Sequence, residues 1–102
     1  MGWKIVIAPS AQADLADIVR YVALHNSDAA ARLGYELITR AESVAAFPEI
    51  GRVVPEFQQP DLREVICRSY RIIYRLRHDE GRIDIVRFWH GARGFPHIPS
   101  GG

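Results

Sequence analysis

His90 and Arg93 stand three residues apart in FWHGARGFP (88–96), where an apolar, strand-like run gives way to glycine. A histidine titrates near neutral pH and can take or give a proton. An arginine beside it can hold a phosphate or steady charge on a pentavalent transition state. The same residues could instead form a docking surface, or the histidine could cap the strand end through a backbone hydrogen bond. More arginines lie just upstream. In YRIIYRLR (70–77), alternation puts Tyr70, Ile72, Tyr74 and Leu76 on one face and Arg71, Ile73, Arg75 and Arg77 on the other. Arg87 has the parity to join one face, and Arg68 and Arg93 fall at strand ends. Together they describe an anion platform, with guanidinium forks suited to bidentate phosphate contacts. The alternative is a solvated outer face whose arginines pair with Asp84 and Glu64.

Other chemistries find less support. The histidines at 25, 78, 90 and 97 and the single Cys67 show no metal-ligand spacing, so neither a metal nor another cofactor is expected. GARG lacks the length and the lysine of a phosphate-cradling loop. No serine sits in a nucleophile elbow. Cys67 falls in a strand and reads as a small buried apolar residue.

Charge is unevenly placed. Net charge is +1, yet residues 63–93 hold eight arginines against four acids, while residues 1–62 hold five basic side chains against eight acids. The asymmetry suggests a surface that meets something anionic. The competing explanation is compositional, since twelve of the thirteen basic residues are arginine.

The chain has 102 residues, 48% of them apolar and 25% charged, which fits one ordinary globular domain with one modest core. One cysteine allows no internal disulfide. The opening MGWKIVIAPS is too short in its apolar run for a signal peptide or a membrane helix, so the expectation is a cytoplasmic protein without membrane contact.

The elements that must position the arginines follow from periodicity. WKIVIA (3–8) reads as a strand stopped by Pro9. Leu15, Ile18, Val19 and Val22 recur at helical spacing, with Ser10 as the expected cap and Asp14 near the first turn. Asn26 or Ser27 marks a break, and a second helix over about 28–46 lines up Leu33, Leu37, Ala41 and Val44. Gly34 costs that helix about 1 kcal/mol against alanine, which points to close approach of the first helix. Pro48, Gly51, Pro55 and Pro60 punctuate a crossover loop. Three strands follow: 63–69, 70–77 and 82–90, the last two joined by the turn HDEG. The order is β-α-α-β-β-β. It predicts an α+β fold, a helical hairpin packed on one face of a twisted, mainly antiparallel four-stranded sheet. One domain is expected over 1–97, with a flexible tail over 98–102.

Taken in order, APSAQADLADIVRYVA (8–23), FPEIGR (47–52), YRIIYRL (70–76) and VRFWHGAR (86–93) resemble the toxins of the RelE/ParE superfamily of type II toxin–antitoxin modules. The likeness is spread over most of the chain, and no one motif carries it. It implies a cytoplasmic bacterial toxin held inactive in a hetero-oligomer with a cognate antitoxin, which lays a helix or strand against it. The apolar hairpin face around Leu15, Ile18, Val22, Leu33 and Leu37 is the expected antitoxin contact.

The resemblance also implies a target. The RelE-like branch cuts messenger RNA in the ribosome, whereas the ParE-like branch poisons DNA gyrase. RelE-like members carry lysines on the strand before the YR pair and a tyrosine near the C-terminus. Here that strand reads REVICRS and the end reads GFPHIPSGG. The texture is more ParE-like, with Arg68, Arg71, Arg75, Arg87, Trp89, His90 and Arg93 as target- or phosphate-binding residues. Under the nuclease alternative, Arg71 and Arg93 hold phosphate and His90 moves the proton of the 2′-hydroxyl. A second alternative is a non-toxic partner-binding remnant.

Overall fold

The computed structural model describes residues 2–99. Strand β1 (Lys4–Ile7) leads into helices α1 (Pro9–Ala23) and α2 (Ser27–Ser43), followed by a 3-10 turn (Val44–Ala46). Then come β2 (Arg52–Val53), β3 (Leu62–Cys67), β4 (Tyr70–Arg77) and β5 (Arg82–His90), and a 3-10 turn (Gly91–Arg93). The sheet order is β1-β5-β4-β3-β2. The α+β hairpin-on-sheet architecture stands, but the sheet has five strands and is mixed. β1 runs parallel to β5, with Ile5 opposite Ile83; α1, α2 and the antiparallel strands β2, β3 and β4 lie between them in the chain. The extra strand β2 arises inside the expected crossover loop, where Arg52 pairs with Glu64.

Local signals explain most of the helical layer. Pro9 occupies the first turn of α1, where its missing N–H costs nothing. Asn26 caps α2, its Oδ1 accepting the Ala29 N–H at 3.0 Å. Gly34 does permit close approach: a Cβ there would stand 3.1 Å from Val19 Cγ2 on α1. The expected cap Ser10 does something else. Its hydroxyl donates to the Val86 carbonyl at 2.7 Å, and the first turn of α1 has no side-chain cap.

That bond has a structural cause. Between β4 and β5 the register slips after Ile73–Arg87, so Tyr74 faces Ile85 and Val86 is the extra residue of a β-bulge. β1 also stops pairing at Ile85. The edge of β5 beyond that point would present bare backbone groups. Side chains of α1 fill in: Ser10 takes Val86 O, and Asp14 Oδ2 accepts the Phe88 N–H at 3.0 Å.

The sheet buries both faces. Toward the helices lie Leu37, Ala41, Val44, Ile72, Tyr74, Leu76, Ile83, Ile85 and Phe88. On the outer face a smaller core forms from Val54, Leu62, Ile73, Val86 and Trp89, with Phe57 and Ile98 packed against it. Ile98, the first residue of the expected tail over 98–102, packs against this outer core. Positions 100–102 lie outside the described residues.

Candidate functional site

The HGAR segment is positioned by the last residues of β4 and β5. Tyr70 pairs with His90 and Arg71 with Trp89. Past His90 the chain turns sharply: the Gly91 N–H donates to Ser69 O at 2.8 Å, and His90 Nδ1 accepts the Ala92 N–H at 3.0 Å. The Tyr70 ring meets the His90 ring edge-on at 5.1 Å. Two arginines lie against Trp89. The Arg93 guanidinium lies 3.8 Å and that of Arg87 4.8 Å from its ring centre, while its indole N–H donates to Gly94 O. Tyr21, Tyr70, His90 and Arg93 face one cleft together with Asp17 and Ile18 of α1.

The remaining arginines are distributed, and most are neutralised. Arg71 is 9% exposed and Glu64, one of its two acidic partners, 1%. Arg71 Nε donates to Glu64 Oε1 at 2.7 Å, and its two Nη atoms grip Glu56 at 2.7 and 2.8 Å. These bonds, Glu56 first, push the Arg71 guanidinium well above its ordinary range. The Arg71 bonds likewise hold the Glu56 carboxyl below the usual carboxylate range. Glu64 also accepts from Arg52 Nε at 2.6 Å.

Arg87 turns around the edge of β5 to clasp Asp14 at 2.6 and 2.7 Å. Arg68 adopts a left-handed φ of +54° in the β3–β4 turn and reaches Glu36 on α2 at 2.8–3.0 Å. Arg77 and Arg82 share Asp84. Arg82 also contacts Glu80. Burial pushes the Asp84 carboxyl up, but bonds from Arg82 and Arg77 outweigh it and leave it below the ordinary range.

The β4 arginines thus do not stand as an open row: Arg71 pairs with Glu64 and Arg77 with Asp84, as the paired-face alternative expects. The crossover loop and the C-terminal segment cover the outer face, and acids take up Arg71, Arg77 and Arg87. The structure brings Arg87, Trp89, His90 and Arg93 together at one end. It places Arg68 on the helix side and Arg75 farther along β4.

The expected antitoxin face is likewise redistributed. Leu15, Ile18 and Leu33 pack against the main core and Leu37 is fully buried, since a helix on a sheet turns its apolar stripe inward. Val22 and Leu33 still line a cleft with Ala29, Arg32, Glu36 and Arg68. The large apolar side chains that the hairpin exposes are Tyr21, Leu24 and Tyr35.

Sequence reasoning missed Glu56 and Asp14 as partners of Arg71 and Arg87. A lone acid in a proline-bounded loop, and an acid on the core-facing side of an amphipathic helix, were the available signals. Among the described residues no group of His, Cys, Asp or Glu is arranged to hold a metal ion, and no helix is long and apolar enough to cross a membrane.

The sequence of residues 5–95 matches the family model described as the ParE toxin of the type II toxin–antitoxin system parDE. The chain belongs to the ParE toxin family. The superfamily read from the four sequence segments stands, and with it the class: this is a toxin of a type II toxin–antitoxin system. Toxin RelE2 of Caulobacter vibrioides is 38% identical over 91 residues, spanning 88% of this chain and 97% of that protein. The fold is shared with a chain of the chromosomal ParDE system from P. aeruginosa, at a TM-score of 0.71 and 19% identity, over 86% of this chain and 95% of that one. It is shared also with a chain of the RelBE2 toxin–antitoxin complex of Mycobacterium tuberculosis, at 0.66 and 15%, over 88% and 99%.

Proposed function

We propose that this ParE-family toxin arrests growth by docking non-covalently on DNA gyrase in the bacterial cytoplasm, and that a cognate antitoxin neutralises it. The observation that carries the reading is the state of Arg71. A nuclease of this superfamily would lend that guanidinium to phosphate, but here it is buried between Glu64 and Glu56. An RNA phosphate would have to displace Glu56 and still meet the charge of Glu64. The strand before it contains no lysine, and no tyrosine follows Arg93.

What the HGAR end does expose suits a protein partner. Arg93 is exposed and stacked on Trp89, beside Tyr21 and His90. Arginine and aromatic anchors of this kind dominate protein interfaces. The antitoxin has two candidate seats, the α1–α2 cleft at Val22 and Leu33, and the unpaired edge of β1.

Ribosome-dependent messenger RNA cleavage is the second reading. It is favoured by one feature: His90 and Arg93 face a single cleft, where one could move a proton and the other hold phosphate.

Purified toxin should inhibit negative supercoiling by gyrase and leave a naked messenger RNA and a translating ribosome untouched. Arg93→Ala should weaken that inhibition about tenfold or more, with an unchanged melting curve. Cleaved messenger RNA on ribosomes, with supercoiling intact, overturns the proposal.

A further inference from the structure

On the outer face of the sheet, Arg52, Arg71, Arg77 and Arg82 each pair with an acid, whereas Arg75, among the described residues, does not. Arg75 on β4 faces Leu62 of β3 and Asp84 of β5. Asp84 is already engaged, by Arg77 Nε at 3.0 Å and Arg82 Nε at 2.7 Å. Among the described residues Arg75 forms no ion pair. Its Nη1 makes one long bond to Gln59 Oε1 at 3.3 Å, and its Nε is buried with no partner at all. Burial, and then the charge of Arg77, hold its guanidinium below the ordinary arginine range. A half-buried cation with no direct ion pair, balanced only by the charges of Asp61 and Asp84, can still take an anionic partner.

Arg75 and Arg77 open together on a cleft of about 350 Å³. Its walls are Phe57, Leu62 and Ile98, with Gln59 at the rim. The cleft therefore offers guanidinium donors beside an apolar surface. An oxyanion with a small apolar body matches both: forked donors for the head, and rings and methyl groups for the rest.

We propose that this cleft is an anion site for a phosphate monoester, with Arg75 as its principal ligand and Arg77 beside it. The site is separate from the HGAR end. Arg75 lies five residues along β4 from Tyr70, the partner of His90, which is roughly 16 Å of strand. The assignment does not depend on which macromolecule the toxin attacks.

The test is a titration of the full chain, following the arginine Nε–H resonances by NMR at constant ionic strength. One arm uses inorganic phosphate and the other phenyl phosphate. The Arg75 signal should move saturably with both, and at lower concentration with phenyl phosphate if the apolar walls take part. Equal affinity for the two would assign the site to the phosphate head alone and overturn the role of the walls. In the Arg75 variants, binding is read from the Arg77 signal, which faces the same cleft; Arg75→Gln should weaken binding at least about tenfold while the Arg93 signal keeps its position. Arg75→Lys keeps the charge without the fork, and should bind more weakly than the parent should the glutamine variant fail to fold. An Arg75 signal that stays still, or a response unchanged in both variants, overturns the proposal.

Discussion

Replacing Arg71 by alanine is expected to destabilise the toxin by about 3 kcal/mol or more, and to lower its melting temperature by at least about 12 °C. The guanidinium lies between two carboxylates, at 2.7 Å from Glu64 and from Glu56. Glu64 has a fully buried side chain. Without Arg71 it keeps only Arg52, a residue whose side chain is 63% exposed. Glu56 loses its anchor, and with it the crossover loop that carries Phe57 over the outer core. Removing one member of a buried pair leaves the other uncompensated, which is why breaking the pair costs more than the pair itself contributes.

The double variant Arg71→Met with Glu64→Leu removes both charges and should recover much of the loss. Urea unfolding of the three proteins checks this, and a loss under about 1 kcal/mol for Arg71→Ala would show that the cluster is not structural. The pH dependence has a definite sign. Arg71 holds the folded Glu56 carboxyl below its ordinary range, so its contribution is complete above the ordinary glutamate pKa. It fades as pH falls through the lower, folded value. The consequence for function is direct: loss of toxicity in an Arg71 variant reports on chemistry only if the variant is folded.

Gly51→Ala is the second large effect. A Cβ there would stand 2.5 Å from the Glu64 carbonyl oxygen and 2.5 Å from the Tyr74 hydroxyl. Neither can yield easily. The carbonyl belongs to β3, and the hydroxyl of fully buried Tyr74 accepts the Gly51 N–H at 2.9 Å while donating to Pro48 O at 2.8 Å. The requirement is for space, and the contact joins the crossover loop to the main core. Overpacking and a broken buried hydrogen-bond relay together should cost about 2–4 kcal/mol. Tyr74→Phe removes the relay alone and should cost about 1–3 kcal/mol. The two share a partner, so the double variant should lose less than the sum. A Gly51→Ala protein as stable as the parent would mean that the loop moves freely on the sheet.

The parts of this fold that were legible in the sequence are those set by local chemistry. Two-residue alternation gave β4 with its observed bounds and faces, and apolar density gave β5 as Arg82–His90. Asn26 was readable as a boundary and Gly34 as a close approach. What was not legible depends on residues far apart. The parallel pairing of β1 with β5, the bulge at Val86 and the short β2 are set by the whole sheet. Ser10 looks like a cap because serine favours helix starts, yet an unpaired carbonyl on the β5 edge recruits it. The arginine parity of β4 is legible, and so is the pairing of that face with Glu64 and Asp84; the cover over it is not. Ile73 and Trp89 on that same parity signalled a second core, and the Glu56 that neutralises Arg71 sits fifteen residues away.

The most direct test of the proposed target is pulse-labelling of DNA and protein synthesis, minutes after this toxin is induced alone in bacteria. A prompt fall in DNA synthesis, with translation intact, is the expected result. A prompt fall in translation, with DNA synthesis intact, would contradict it and turn His90 and Arg93 into candidates for catalysis.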